Sequence, residues 1–158
     1  MKAISLWQPW ASAMALGFKR NETRGWATKY RGPLVIHAAK KAEHWPNMEV
    51  QVFFDDIAFQ PIDLPRGCLL CIVKLIDCQE IFIHNRPTKQ EVAFGDYTPG
   101  RFMWITEPIH VFETPIPFKG KQGLFDVPDE ILLHMEKQPE ASEPLQTSFA
   151  GFGQGPGQ

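Results

Sequence analysis

Cys68-Leu-Leu-Cys-Ile-Val-Lys-Leu-Ile-Asp77 is an apolar run interrupted only by Lys74, and its reading decides the fold. A strand covered on both faces reads as a continuous hydrophobic segment, without the alternation of a half-exposed one. The run is therefore expected to be the central strand of a sheet, entered from a loop over Pro61–Gly67. Lys2–Leu6 alternates apolar and polar and reads as a first strand, and Leu34–Ala39 as a buried one after a turn at Gly32-Pro33. Phe102–Ile105 and Ile109–Phe112 read as strand, with Pro108 marking an edge or bulge between them. Leu124–Val127 is a last short strand.

Helices fall at the margins. Pro9 suits a first helical position, and Trp10, Ala11, Met14, Ala15 and Phe18 follow at helical spacing. Gly17 stands where helices stop in the left-handed conformation. That predicts about two and a half turns, or ~13 Å. Asn47 can cap a second helix carrying Val50, Phe53, Phe54 and Ile57. Residues 86–101 are loop or short helix, and Pro128-Asp129-Glu130 opens another helix with acidic residues in its first turn. After Lys137 periodicity is lost, and residues 138–158 read as a disordered tail. Five or six strands with two or three flanking helices describe an α+β, mainly β domain: a small mixed β-barrel.

The chain has 158 residues, 44% of them hydrophobic and 22% charged, the profile of one globular domain. Three cysteines argue against a closed disulfide framework and for a reducing compartment. No run approaches the roughly 18 apolar residues of a membrane span. The first residues lack a signal-peptide core, so a cytoplasmic location without membrane association is expected. The net charge of −2 conceals an asymmetry. Residues 1–44 hold eight Lys and Arg against two Glu, a net +6, which leaves −8 for the remainder. One face is thus expected to attract polyanions.

Four of the five tryptophans, Trp7, Trp10, Trp26 and Trp45, lie in or beside that basic third. Indoles among Arg and Lys suit base stacking combined with phosphate pairing. Trp7 and Trp10 can instead fill the core beside the first helix, and for Trp10, on its apolar face, packing is the better account. From Arg20 to Trp26 the chain reads as extended, so Arg20, Glu22, Arg24 and Trp26 share one face, with Asn21 and Thr23 on the other. Trp26 is then the stacking candidate. Glu22 can accept from a base amino group while Arg24 takes a phosphate, although the same triplet also makes a plain ion-pair network. His37, inside a strand, is either a satisfied core histidine or a ligand contact.

Cys68 and Cys71 supply only two of the four ligands a zinc site needs, and strand alternation would point them to opposite faces. They read as buried structural cysteines. The five histidines form no metal-binding pair, and no metal or cofactor is expected. No nucleophile elbow, Walker loop or dinucleotide fingerprint occurs. Phe118-Lys-Gly-Lys-Gln-Gly123 is either a backbone cradle for phosphate or a solvated hairpin turn.

Ser5-Leu-Trp-Gln-Pro-Trp-Ala11, Gly17-Phe-Lys-Arg-Asn-Glu-Thr-Arg-Gly-Trp26 and Tyr30-Arg-Gly-Pro-Leu-Val-Ile-His-Ala38 together resemble the ASCH domain. Phe94–Trp104 and Pro115–Leu124 continue the resemblance, which covers about residues 1–127. It implies a PUA-like fold over residues 1–137 and a cleft that binds RNA or modified bases, lined by Gly17, Lys19, Glu22 and Arg24. Some members of the family are amidohydrolases acting on N4-acetylcytidine, and one is a ribonuclease. The amidohydrolases place a catalytic threonine three residues after the lysine, where this chain has Glu22. Thr23 is one position away and on the opposite strand face. Glu91 corresponds to the later glutamate of those enzymes.

Two functions are expected from this. In the first, RNA, single-stranded nucleic acid or a modified nucleoside is bound by a monomer. Trp26 stacks a base, Arg20, Arg24 and Arg31 take phosphate, Glu22 reads an amino group, and His37 stands in the wall. In the second, Lys19 acts as base in a nucleoside amidohydrolase, and Glu22 or Glu91 carries the proton to the leaving amine. A third reading takes the tail, with Leu145, Phe149 and Phe152, as a protein-docking segment.

Overall fold

The computed structural model describes residues 1–41, 55 and 64–133. The helix expected after Asn47, Trp45 and the C-terminal tail lie outside these residues. The described strands are β1 (Lys2–Leu6), β2 (Asn21–Arg24), β3 (Gly32–Ala38), β4 (Cys68–Glu80), β5 (Phe102–Pro117) and β6 (Phe125–Asp126). They form one mixed sheet in the order β2-β5-β4-β3-β1-β6. Only β1 and β3 pair in parallel; the other neighbours are antiparallel. Among the described residues the sheet stays open between its edges, β2 and β6. Among the described residues three short α-helices flank it: α1 (Trp10–Ala15), α2 (Lys89–Ala93) and α3 (Asp129–Leu132).

β4 lies inside the sheet between β3 and β5, as expected from an apolar run interrupted only by Lys74. Both faces of the sheet carry core. On one, Ile4, Leu6, Leu34, Ile36, Val73 and the fully buried Trp104 pack beneath Ala11 and Met14 of α1. On the other, Ala3, Val35, Leu69, Ile72 and Phe125 pack against Leu132 of α3. The alternation Leu34, Val35, Ile36 distributes β3 between the two layers, as a period of two dictates.

Four expectations change in detail. α1 has six residues instead of two and a half turns. It stops at Gly17, whose φ of +82° permits a left-handed turn. There Phe18 N–H donates to Ala13 O at 2.9 Å and Gly17 N–H to Met14 O at 3.1 Å, the paired closure of a Schellman ending. Gly32 and Pro33 belong to β3 and are not a turn. β1 begins opposite Leu34, so proline's missing N–H faces no ladder on that side.

The two strand segments around Pro108 are one strand, β5. Val73 faces Pro108 and Ile72 faces His110, so a bulge absorbs the intervening Ile109. A second irregularity, between Leu69 and Cys71, turns Cys68 and Cys71 to the same core layer instead of opposite faces. Both are free and buried. Burial pushes the Cys71 thiol up to about 12.

Candidate nucleic-acid interface

β2 is the edge that builds the cleft. It pairs with β5 in register Asn21–Ile105, Glu22–Trp104, Thr23–Met103 and Arg24–Phe102. Directly opposed residues share a face, so Glu22 stands over Trp104 while Asn21 and Thr23 point to the other side, where they are buried. The start of the strand is fixed by Glu91 of α2. Its carboxylate accepts from Arg20 N–H at 2.6 Å and from Asn21 N–H at 3.1 Å.

Lys19 is 2% exposed. Its ammonium donates to Asn21 O at 2.5 Å and Phe94 O at 2.9 Å, and lies 3.2 Å from Glu22 Oε2. An ammonium has three protons, and three acceptors surround this one. Glu22 Oε1 lies 3.0 Å from Arg24 Nε. That buried Nε makes no hydrogen bond, so the contact is an ion pair whose N–H points off the carboxylate. The Arg24 guanidinium is held instead through Nη2, which donates to Ser5 O at 2.8 Å. One arginine thereby ties β2 to the end of β1.

A cleft of about 530 Å³ opens between those strands. Glu22, Arg24, Trp26, Trp7, Arg101 and Lys121 are among its lining. Its volume falls within the range of small-molecule pockets. Trp26 is 40% exposed and meets Trp104 edge to face, with centroids 4.7 Å apart and planes at 88°. Trp104 Nε1–H donates to Trp26 O at 3.3 Å, which steadies the backbone beneath the ring. Arg101 donates to Thr23 O at 3.5 Å and lies 3.4 Å from Asp96. The hydroxyl of Thr98, with a smaller contribution from Arg101, holds the Asp96 carboxyl below its ordinary range.

The structure therefore brings Glu22, Arg24 and Trp26 together, with Lys19 buried behind Glu22. It does not bring the other named residues into this cleft. Arg20 borders a separate hollow beside Glu91. Arg31 pairs with Asp77 at 3.1 Å and donates to Thr28 O and Tyr30 O. His37 faces the opposite layer. Its Nε2 lies 3.0 Å from Phe118 O, and its Nδ1 2.9 Å from Ser5 Oγ. A carbonyl only accepts, so Nε2 carries the proton and Nδ1 of the neutral ring accepts from Ser5. Burial lowers the His37 pKa, opposed by the bond to Phe118.

Sequence reasoning allowed Trp7 a place in the core with Trp10, yet Trp7 is 48% exposed in the cleft wall. Ser5 and Arg101 were missed altogether. The signal for Lys121 and Gln122 was present in the Lys-Gly-Lys-Gln loop, whose position at the mouth depends on chain folding back over a hundred residues. Among the described residues no group of three or more His, Cys, Asp or Glu converges as a metal site would require. No described helix is long and apolar enough to cross a membrane.

The described residues form an open mixed sheet with an aromatic cleft rich in cations beside its β2 edge. The family model of the ASCH domain matches residues 4–116, and the chain belongs to that family. It is 46% identical over 136 residues to activating signal cointegrator 1 of Homo sapiens, an alignment covering 81% of this chain. The Mus musculus protein of the same name is 32% identical over 136 residues. The chain spans 22% of the length of these relatives. Among solved structures, the ASCH protein of Zymomonas mobilis superposes with a TM-score of 0.53 at 14% identity, over 85% of this chain and 92% of that one. That likeness shows the fold.

Proposed function

We propose that this ASCH domain binds single-stranded RNA, or a modified nucleotide within it, in the cleft at the β1–β2 edge. One observation carries the reading: Trp26, exposed and braced by Trp104, shares a cleft with an acceptor, Glu22, and three cations, Arg24, Arg101 and Lys121. A base has a π-face for the indole and polar edges for the carboxylate, and its phosphate answers the cations. The 46% identity to a human signal cointegrator is compatible with a nucleic-acid role and names no ligand.

The hydrolytic alternative, on nucleosides of the N4-acetylcytidine type, is served less well. Lys19 as base would have to leave acceptors that already occupy its protons, and Glu91 holds the backbone of β2 outside the cleft. The test is fluorescence anisotropy with a labelled single-stranded RNA at increasing salt. Affinity is expected to fall steeply between about 50 and 200 mM salt, as counterion release requires. Trp26→Ala should weaken binding at every salt concentration. Affinity indifferent to both would exclude the reading.

A further inference from the structure

A second cavity, of about 750 Å³, lies on the other side of Trp7. It shares Ser5, Trp7, Lys121 and Gln122 with the first cleft, so the two are separated by one wall. Its charge is one-sided. Lys40, Lys41, Arg66, Lys119 and Lys121 all line it, and no Asp or Glu does so among the described residues. Among the described residues the first cleft carries Glu22 beside its cations, and the charged residues lining the second are all cations. Like charges gathered in a concave site raise its potential and select an anion.

These cations are not on independent loops. Gly67 N–H donates to Ala38 O at 2.8 Å, and Phe118 N–H donates to Gly67 O at 3.0 Å. The three segments bearing Lys40, Arg66 and Lys119 are thus laced together through their backbones. Ser5 and His37 complete the lacing. Phe118 O accepts from His37, and Lys121 O lies 3.2 Å from Ser5 Oγ. Gly120 lies against that pair so closely that a Cβ there would sit 2.3 Å from His37 Cε1 and 2.7 Å from Ser5 Oγ. The backbone bearing Lys40, Arg66 and Lys119 is thus held in place, and the exposed side chains it carries converge on one concave site.

We propose that this second cavity is a phosphodiester subsite. The ligand of the domain is then a single-stranded oligonucleotide of at least two nucleotides, and not a free nucleoside. The inference rests on the preceding reading of the Trp26 cleft and specifies its ligand class. One nucleotide occupies the Trp26 cleft, the strand crosses the ridge at Trp7, and the neighbouring phosphate enters the field of Lys40, Arg66 and Lys119. Both cavities would be satisfied by one chain, because the partition at Trp7 belongs to both.

The test compares fluorescein-labelled tetracytidylate with cytidine monophosphate as competitor on the purified full chain. A Lys40→Glu/Lys119→Glu variant alters residues that line the second cavity alone. The tetranucleotide is expected to bind at least tenfold more tightly than the mononucleotide. The variant should lose most of that difference, with mononucleotide affinity unchanged. For Lys40→Ala/Lys119→Ala, the slope of log affinity against log salt should flatten by about 1.4, two contacts at about 0.7 each on a single strand. This milder pair also serves if charge reversal impairs folding.

Equal affinity for mononucleotide and tetranucleotide overturns the subsite and leaves the Trp26 cleft standing. So does an unchanged slope in the alanine pair. Failure of both probes to bind the unmodified chain overturns the cleft reading, and the subsite with it.

Discussion

Lys19 Nζ lies 3.2 Å from Glu22 Oε2 and donates to two main-chain carbonyls, one of them in the residue before that glutamate. The lysine aims the carboxylate: buried itself, it fixes Glu22 in the cleft wall beside Arg24. Removing Lys19 leaves the Glu22 carboxylate with Arg24 as its charged partner and leaves Asn21 O and Phe94 O without that donor. Lys19→Ala is therefore expected to cost about 1–3 kcal/mol of stability, the usual penalty for leaving buried acceptors without their donor. Urea unfolding measures it. A loss under about 1 kcal/mol would show that water or a rearranged Glu22 replaces the ammonium.

Trp26 should separate binding from folding. Its ring is exposed on the cleft side and rests on Trp104 by an edge-to-face contact. Trp26→Ala is expected to weaken single-stranded RNA binding by about 1–3 kcal/mol, the range for loss of one stacked base. Trp26→Phe should recover part of that loss, because a smaller π-face remains. Anisotropy titrations of the two variants beside the unmodified chain provide the comparison. Equal losses for Ala and Phe would mean that the indole N–H matters more than its face.

Strand alternation is local, which is why part of this surface was legible in the sequence: it assigned Glu22 and Arg24 to one face without knowledge of any partner, while Trp26, past the end of β2, is set in the cleft by its contacts with Trp104. Arg20 obeys the same alternation but precedes the strand, and Glu91, seventy-one residues later, clips its N–H on the far side. Arg31 is taken out of the cleft by Asp77, again a distant partner. For Trp7 the sequence left both a core and a cleft position open. Its exposure depends on where residues 118–123 return. Cys68 and Cys71 face one layer because of a bulge that no residue type announces. The fold's centre was readable because the apolar run from Cys68 to Val73 suits a strand buried on both faces, as that stretch is. Contacts made across the chain were not.

His37 predicts a distinct response to acid. Its pKa is lowered by burial, so in a window below its ordinary value of 6.5 the native chain binds fewer protons than the unfolded chain. Stability contributed by the neutral ring is full above that value. It falls as pH drops below 6.5 and levels off beneath the folded pKa. Asp96, whose carboxyl is held low, loses its contribution only as pH falls from about 3.8, so the two windows are separable. The urea midpoint should decline between about pH 7 and pH 5 in the unmodified chain. His37→Phe should lack that decline while lowering the midpoint at about pH 8, where Phe118 O loses its donor. A decline that persists in the variant would assign the effect to another group.

Gly120 and Gly25 offer a contrast that tests whether the loop must lie against the His37–Ser5 pair. A Cβ at Gly25 would meet only an Arg101 guanidinium nitrogen, at 3.8 Å, which is ordinary contact. At Gly120 the same atom would lie 2.3 Å from His37 Cε1 and 2.5 Å from His37 Nδ1, both in a ring that two hydrogen bonds hold still. Neither glycine has a left-handed backbone, so space alone distinguishes them. Gly120→Ala is expected to push the 118–123 loop off the sheet, costing about 1–3 kcal/mol as overpacking does. It should weaken tetranucleotide binding more than mononucleotide binding, because Lys119 moves with the loop. Gly25→Ala should change stability by less than about 0.5 kcal/mol, the range of an ordinary surface substitution. If Gly120→Ala proves equally mild, the loop yields without strain, and its contacts with Ser5 and His37 do not determine where its lysines stand.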